Sequence, residues 1–298
     1  MTKPPKKSAA DYFETKRKLE CLKALSATNQ DAPRQRKLLN DIQTGVIGPA
    51  ITLENKVIYR ARWNEASCLF ASIAELIYPP AQFAKRGRFN ESGESVFYGA
   101  LCELGTIIEM RPDVNKVFTI SRFGLRAGNQ PFFFPLCVKD GSGKDRYHVG
   151  VRNKAQSLVY NFIEDLLTKR AVTADDYNLT ILLGKHYLGK AILAGDTDLG
   201  SGGLAYPSVE ARFISNTTTF NLAMTPDFFE KFYEFKETFV YVLTHENTHY
   251  QLNPINSATA REDGSLEWRY DFATMKARVS EGQLLDGDIC LNARLTAL

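Results

Sequence analysis

The chain has 298 residues, 44% hydrophobic and 24% charged, the balance of an ordinary globular protein with apolar surface enough for a large core. Its 37 basic and 34 acidic residues leave a net charge of +3, too small to demand nucleic acid as a partner. No apolar stretch approaches the roughly 20 residues that cross a bilayer, and the five widely spaced cysteines form no C-x-x-C pair, which excludes a zinc ribbon or disulfide framework and suits free thiols in a reducing cytoplasm.

Residues 1–45 read as a polar helical arm. The start, MTKPPKKSAADYF, has charge with no apolar run behind it, so a secretory signal is not expected. Phe13, Leu19, Leu22 and Leu25 recur at helical spacing, with Ser8 or Asp11 as the cap. Residues 26–33 break that helix, and a shorter one is expected over 34–43. The lysines and arginines crowded here read as a solvated face.

A central unit is expected over 46–232. Residues 46–50 are turn-like, and 56–63 alternate as a strand. Residues 67–78 read as either a helix or a connection. A polar, glycine-punctuated loop follows at 85–95. The apolar run 96–110 starts as a strand and becomes a helix, and 116–123 is another strand. Leu158, Phe162, Leu166 and Leu167 mark a helix over 157–170, and Thr173 caps a second over 174–193. A glycine-rich turn is expected at 195–203, a strand at 218–224, and a new local element from Thr225.

Residues 233–298 read as a β-rich extension packed on that unit. Residues 235–252 and 266–275 alternate as strands. Between them, Asn253-Pro254 and Asp263-Gly264 signal turns. Strands and helices without regular βαβ alternation indicate an α+β fold.

Six short pieces carry the functional reading. They are Tyr59-Arg60-Ala61-Arg62, Gly87-Arg88-Phe89-Asn90, Val96-Phe97-Tyr98-Gly99, Ile107-Ile108-Glu109-Met110-Arg111-Pro112, Gly203-Leu204-Ala205-Tyr206-Pro207-Ser208-Val209 and Phe220-Asn221-Leu222-Ala223-Met224. In this order they resemble the RES domain, a family named for an arginine, a glutamate and a serine. The family is similar in fold to ADP-ribosyltransferases and includes bacterial toxins that degrade NAD. The resemblance implies an ADP-ribosyltransferase-like RES domain with N-terminal helical and C-terminal β-rich extensions. It implies a cytoplasmic enzyme that cleaves the nicotinamide–ribose bond of NAD by hydrolysis or phosphorolysis, with an antitoxin as a possible partner over the pocket. Self-association stays open. Passing the ribosyl group to a macromolecule is the alternative reading.

Carried over residue by residue, the resemblance makes Arg60, Glu109 and Ser208 catalytic, and Arg60, Arg62, Arg88, Tyr98 and Ser208 the NAD contacts. The chemistry suits those types. A guanidinium is a planar fork of donors that matches pyrophosphate oxygens. Tyr98 offers a ring face for nicotinamide or a hydroxyl for ribose. Breaking the bond develops positive charge on the sugar, which Glu109 would stabilise. Ser208 would donate to the nicotinamide amide or to a phosphate. It is not read as a nucleophile, because no His/Asp pair accompanies it. Arg60 is preferred to Arg62 because it directly follows Tyr59, although both share one face of the strand.

His245-Glu246-Asn247-Thr248-His249 matches the H-E-x-x-H zinc signature, which needs both histidines on one turn of a helix. The β-branched and aromatic residues before it indicate a strand, where residues four apart are about 13 Å apart. A zinc protease is therefore the weakest alternative, and no metal is expected. His148, in an expected strand, and His186, in an expected helix, read as structural or surface residues. No glycine-rich phosphate loop opens a βαβ unit, so NAD on a Rossmann turn is not expected.

Overall fold

The structure is a computed structural model, and it describes residues 9–27, 31–43, 50–52, 57–64, 68–111, 113–137, 153–189, 191–194, 197–209, 220–246 and 249–280. The helices are α1 (Ala9–Ala27), α2 (Ala32–Gln43), α3 (Glu103–Met110), α4 (Lys154–Thr168), α5 (Asn178–Tyr187), α6 (Pro226–Phe232) and α7 (Phe272–Ser280). The strands are β1 (Ile51–Thr52), β2 (Val57–Trp63), β3 (Phe97–Ala100), β4 (Val117–Leu125), β5 (Phe132–Pro135), β6 (Ala191–Ala194), β7 (Thr197–Ser201), β8 (Gly203–Pro207), β9 (Phe220–Met224), β10 (Tyr233–Glu246), β11 (His249–Ala260) and β12 (Leu266–Trp268). The expectations for 46–50, and for a strand around His148, fall largely or wholly outside the described residues.

Helices and strands are mixed around one large sheet, an α+β arrangement. Among the described residues ten strands join it, in the order β1-β5-β8-β9-β3-β2-β4-β10-β11-β12. The β5–β8 pairing is parallel and the others are antiparallel. Strand alternation sends side chains to opposite faces, and both faces are covered. On one, Leu204, Tyr206 and Ala223 pack with Leu19 and Leu22 of α1, Leu39 of α2, Ile163 of α4 and Leu183 of α5. On the other, Phe97, Phe123, Leu222 and Met224 meet Phe228, Phe229 and Phe232 of α6. The N-terminal arm is thus part of the main core, although Phe13, counted in its apolar stripe, is 67% exposed.

The sheet divides between β2 and β3. Tyr59↔Ala100 is their one registered pair, whereas β2 follows β4 from Val57↔Gly124 to Trp63↔Phe118 and β3 follows β9 from Phe97↔Met224 to Ala100↔Asn221. The two halves therefore touch at a point and splay beyond it. Gly99 sits where they touch. A Cβ there would lie 2.7 Å from the Tyr59 carbonyl oxygen and 2.7 Å from the Phe97 ring. Gly99→Ala must push β2 away from β3, and we expect it to lower unfolding free energy by about 1–3 kcal/mol, read from the denaturant midpoint.

Several expected elements differ. In the C-terminal segment β10 pairs along β4 and continues the sheet. Asn253-Pro254 is inside β11 and not in a turn. The register jumps from Val240↔Asn256 to Tyr241↔Pro254, a bulge that accommodates a residue with no N–H to give the ladder. The expected strand over 266–275 stops at Trp268. Asp271 then accepts the Thr274 N–H at 2.7 Å and starts α7. The helix expected to run to 193 stops at Tyr187, and Gly189 takes the left-handed conformation (φ 75°) that turns the chain out of α5. Residues 191–194 and 197–201 then pair as a β6–β7 ribbon, where the end of that helix and a glycine-rich turn were expected. Of the two readings of 67–78, the described residues 68–78 are a connection with one 3-10 turn, Ile73–Glu75.

Candidate functional site

A cleft of about 330 Å³ lies over the division of the sheet. Arg60 and Ala61 line it from one half, and Tyr98, Gly99, Ala100, Tyr206 and Asn221 from the other. Gly87 and Arg88 form its rim, and Thr106, Glu109 and Met110 of α3 close the remaining side. The last three recur at i, i+3 and i+4, one face of a helix.

Arg60 bridges the two halves. Alternation along β2 puts it on the side of Ile58, and its guanidinium stacks over the Phe97 ring at 5.5 Å. From there Nη1 donates to the Tyr98 carbonyl at 2.7 Å, across the β2–β3 division. Its buried Nε has no hydrogen-bond partner. Burial, with Arg62 close by, pushes the Arg60 pKa down to about 10, so the group stays charged at neutral pH. A buried donor left unpaired costs about 1–3 kcal/mol, and an anionic acceptor in the cleft would offset that.

Glu109 stands on the last turn of α3. Cys102 caps the start of this helix, with Sγ accepting the Gly105 N–H, and Arg111 ends it in the left-handed region at φ 47°. The helix is braced at its other end. Arg122 of β4 reaches Glu103 at 3.2 Å and Glu237 of β10 at 2.7 Å, and Tyr241 donates its hydroxyl to Glu103. Burial and the neighbouring Glu103 carboxylate hold the Tyr241 phenol well above its ordinary range, which keeps it a donor. The brace fixes where α3 points and therefore where Glu109 stands.

Tyr98 is bonded on both sides. Its hydroxyl accepts the Phe89 N–H at 2.8 Å and donates to Asn90 Oδ1 at 2.8 Å. Burial raises its pKa far above neutrality, so it serves as a neutral phenol and not as a base. Asn90, 3% exposed, also donates to the Lys85 and Glu94 carbonyls at 2.9 and 3.0 Å, which ties the 85–95 loop into a fixed rim. Tyr206 meets Phe89 edge to face at 4.8 Å.

Three of the expected site residues stand differently from the sequence reading. Arg62 does not line the cleft. It lies one pleat, about 6.6 Å, further along β2, donates to the Glu75 carbonyl and stacks over Phe70 at 5.6 Å. Ser208 is 2% exposed and also does not line the cleft. Its Oγ donates to Glu109 Oε1, so it orients the carboxylate. Arg88 lines the rim, but its guanidinium caps the end of α4, with Nη1 on the Leu166 carbonyl at 3.1 Å and Nη2 on the Lys169 carbonyl at 3.3 Å. Ser208→Ala is expected to reduce any activity of the cleft about tenfold through a less ordered Glu109, with the melting temperature as the control for folding.

Thr106, Tyr206 and Asn221 line the cleft without having been assigned a role. Thr106 has a signal in the chain, one helical turn before Glu109, whereas Tyr206 and Asn221 come together only through the β8–β9 pairing. The zinc signature is not on a helix. β10 ends at Glu246 and β11 begins at His249, with Glu246↔His249 and His245↔Tyr250 paired. The motif spans two strands of a hairpin where one continuous strand was expected. His186 is in α5 as expected, edge to face with Tyr187 at 4.6 Å. Among the described residues no helix is long and apolar enough to cross a membrane. No model of a known protein family matches the chain, and no curated protein matches it.

Proposed function

We propose that the chain is an NAD-consuming enzyme of the RES type, with an ADP-ribosyltransferase-like fold, that cleaves the nicotinamide–ribose bond in the cleft between the sheet halves. The supporting observation is the pairing of a charged, incompletely bonded Arg60 with a Glu109 carboxylate oriented by Ser208 on the same cleft. A cation for pyrophosphate and a carboxylate for an electron-poor sugar are what this reaction needs. The cleft volume is at the small end of the roughly 300–1,000 Å³ typical of ligand sites and suits the nicotinamide-ribose half of the dinucleotide.

In the reaction the C–N bond breaks and nicotinamide leaves with its electron pair. The ribose carbon becomes positively charged, and Glu109 faces that charge. An oxygen of water or inorganic phosphate then bonds to the carbon from the open side, and with water a proton is released. Arg60 holds the phosphates so that the sugar meets the carboxylate in one orientation. Tyr98 and Tyr206 present ring faces to the ligand, the Tyr98 hydroxyl remaining on Asn90. An antitoxin covering the cleft would exclude NAD directly.

Labelled NAD tests the reading. Released nicotinamide with free ADP-ribose, or with its phosphate ester when phosphate is supplied, supports it. Label on protein or nucleic acid identifies a transferase. Intact NAD after prolonged incubation with the folded chain overturns it.

A further inference from the structure

A second cavity, of about 510 Å³, adjoins the cleft. It is framed by the ends of α1 and α4 and by the turn before α5, and Lys23, Phe162, Lys169, Arg170 and Tyr177 line it. Arg88 lines both cavities and stacks over the Tyr177 ring at 5.8 Å. Arg88 is thus the residue that the two lining sets share. Only two of the five N–H donors of a guanidinium are used on the α4 carbonyls, Leu166 and Lys169.

We infer that this second cavity binds the adenosine-phosphate half of the dinucleotide, with Arg88 at the pyrophosphate between the two halves. The inference rests on the proposed NAD reading and adds to it a site built partly by the N-terminal helix α1. The chemistry matches a nucleotide. Phe162 and Tyr177 offer ring faces for a purine. Lys23, positioned over Phe162 at 5.4 Å, and the nearby Arg170 supply positive charge for a phosphate. Asp165, Asp175 and Asp176 line the same wall as acceptors for ribose hydroxyls, although Asp176 is already held by Lys169 at 2.8 Å. The pairing leaves Arg88 fixed by a helix end, so a phosphate there meets a preorganised fork.

Calorimetric titration of the full-length chain with AMP tests this without relying on turnover. AMP is expected to bind and to compete with NAD. Tyr177→Ala and the surface change Lys23→Glu are each expected to weaken AMP binding about tenfold or more, while nicotinamide mononucleotide binding stays at the wild-type value. Both variants should raise KM for NAD with kcat retained, the pattern of a contact remote from the bond being broken. No AMP binding at millimolar concentration overturns the inference. So does AMP binding that Arg60→Ala abolishes but the two cavity variants do not change. Normal NAD cleavage together with either result leaves the NAD reading intact. AMP binding with the expected losses, in a chain that leaves NAD whole, supports the cavity and sinks the enzymatic reading instead.

Discussion

Glu109→Gln is expected to slow NAD cleavage by about 10²–10³-fold with little change in KM. The amide matches the carboxylate in shape and keeps an oxygen that can accept the Ser208 hydroxyl. It removes the negative charge and almost nothing else, so the loss should fall on the step in which the sugar becomes positive. Glu109→Ala is a harsher change of a different kind. It removes the acceptor of the buried Ser208 hydroxyl together with the side-chain volume, so it also disturbs the local fold. Single-turnover release of nicotinamide, measured beside thermal melting, separates the two effects. A Gln variant with wild-type kcat would mean that the carboxylate does not face the reacting sugar.

The elements around the cleft were legible because their signals are local. The strand-to-helix change at 96–110 is written in Phe97 to Ala100 followed by a helical run with Ile107 and Ile108 buried. Thr173 starts the turn before α5 through a capping box with Asp176. What was not legible depends on pairing between distant segments. A strand's partner is a tertiary choice, so the joining of β10 to β4 could not be read from residues 233–246 alone. Pro254 signals a turn by composition, yet a bulge opposite Val240 and Tyr241 absorbs it. The site shows the same limit. Alternation correctly puts Arg60 and Arg62 on one side of β2. Only the division of the sheet, set by the close approach at Gly99, sends one to the cleft and leaves the other on the Glu75 carbonyl.

Arg60→Met is expected to lower kcat/KM for NAD by about 10–10⁴-fold, the loss of one or two charge-assisted hydrogen bonds at roughly 1.5–3 kcal/mol each. Arg62→Ala should leave it within about twofold, because that side chain does not reach the cleft. Methionine keeps the unbranched stem over Phe97 and removes a buried charge whose Nε is unpaired, so the folded state without ligand should lose little stability. Arg60→Lys keeps the charge without the planar fork and should restore only part of the activity. The pH dependence follows from the same burial. The folded-state pKa near 10 is below the ordinary 12.5, so between these values the unfolded chain holds a proton that the folded chain has released. Stability from this group therefore rises as pH passes from 10 to 12.5, and falls back as pH returns below 10. Binding has the opposite sign, because an anion needs the charged guanidinium. Affinity for inorganic pyrophosphate should hold to about pH 9 and decline above 10, with proton uptake on binding in that upper range. A pyrophosphate affinity that Arg60→Met leaves unchanged at pH 8 would remove Arg60 from the phosphate site, whatever the variant did to turnover.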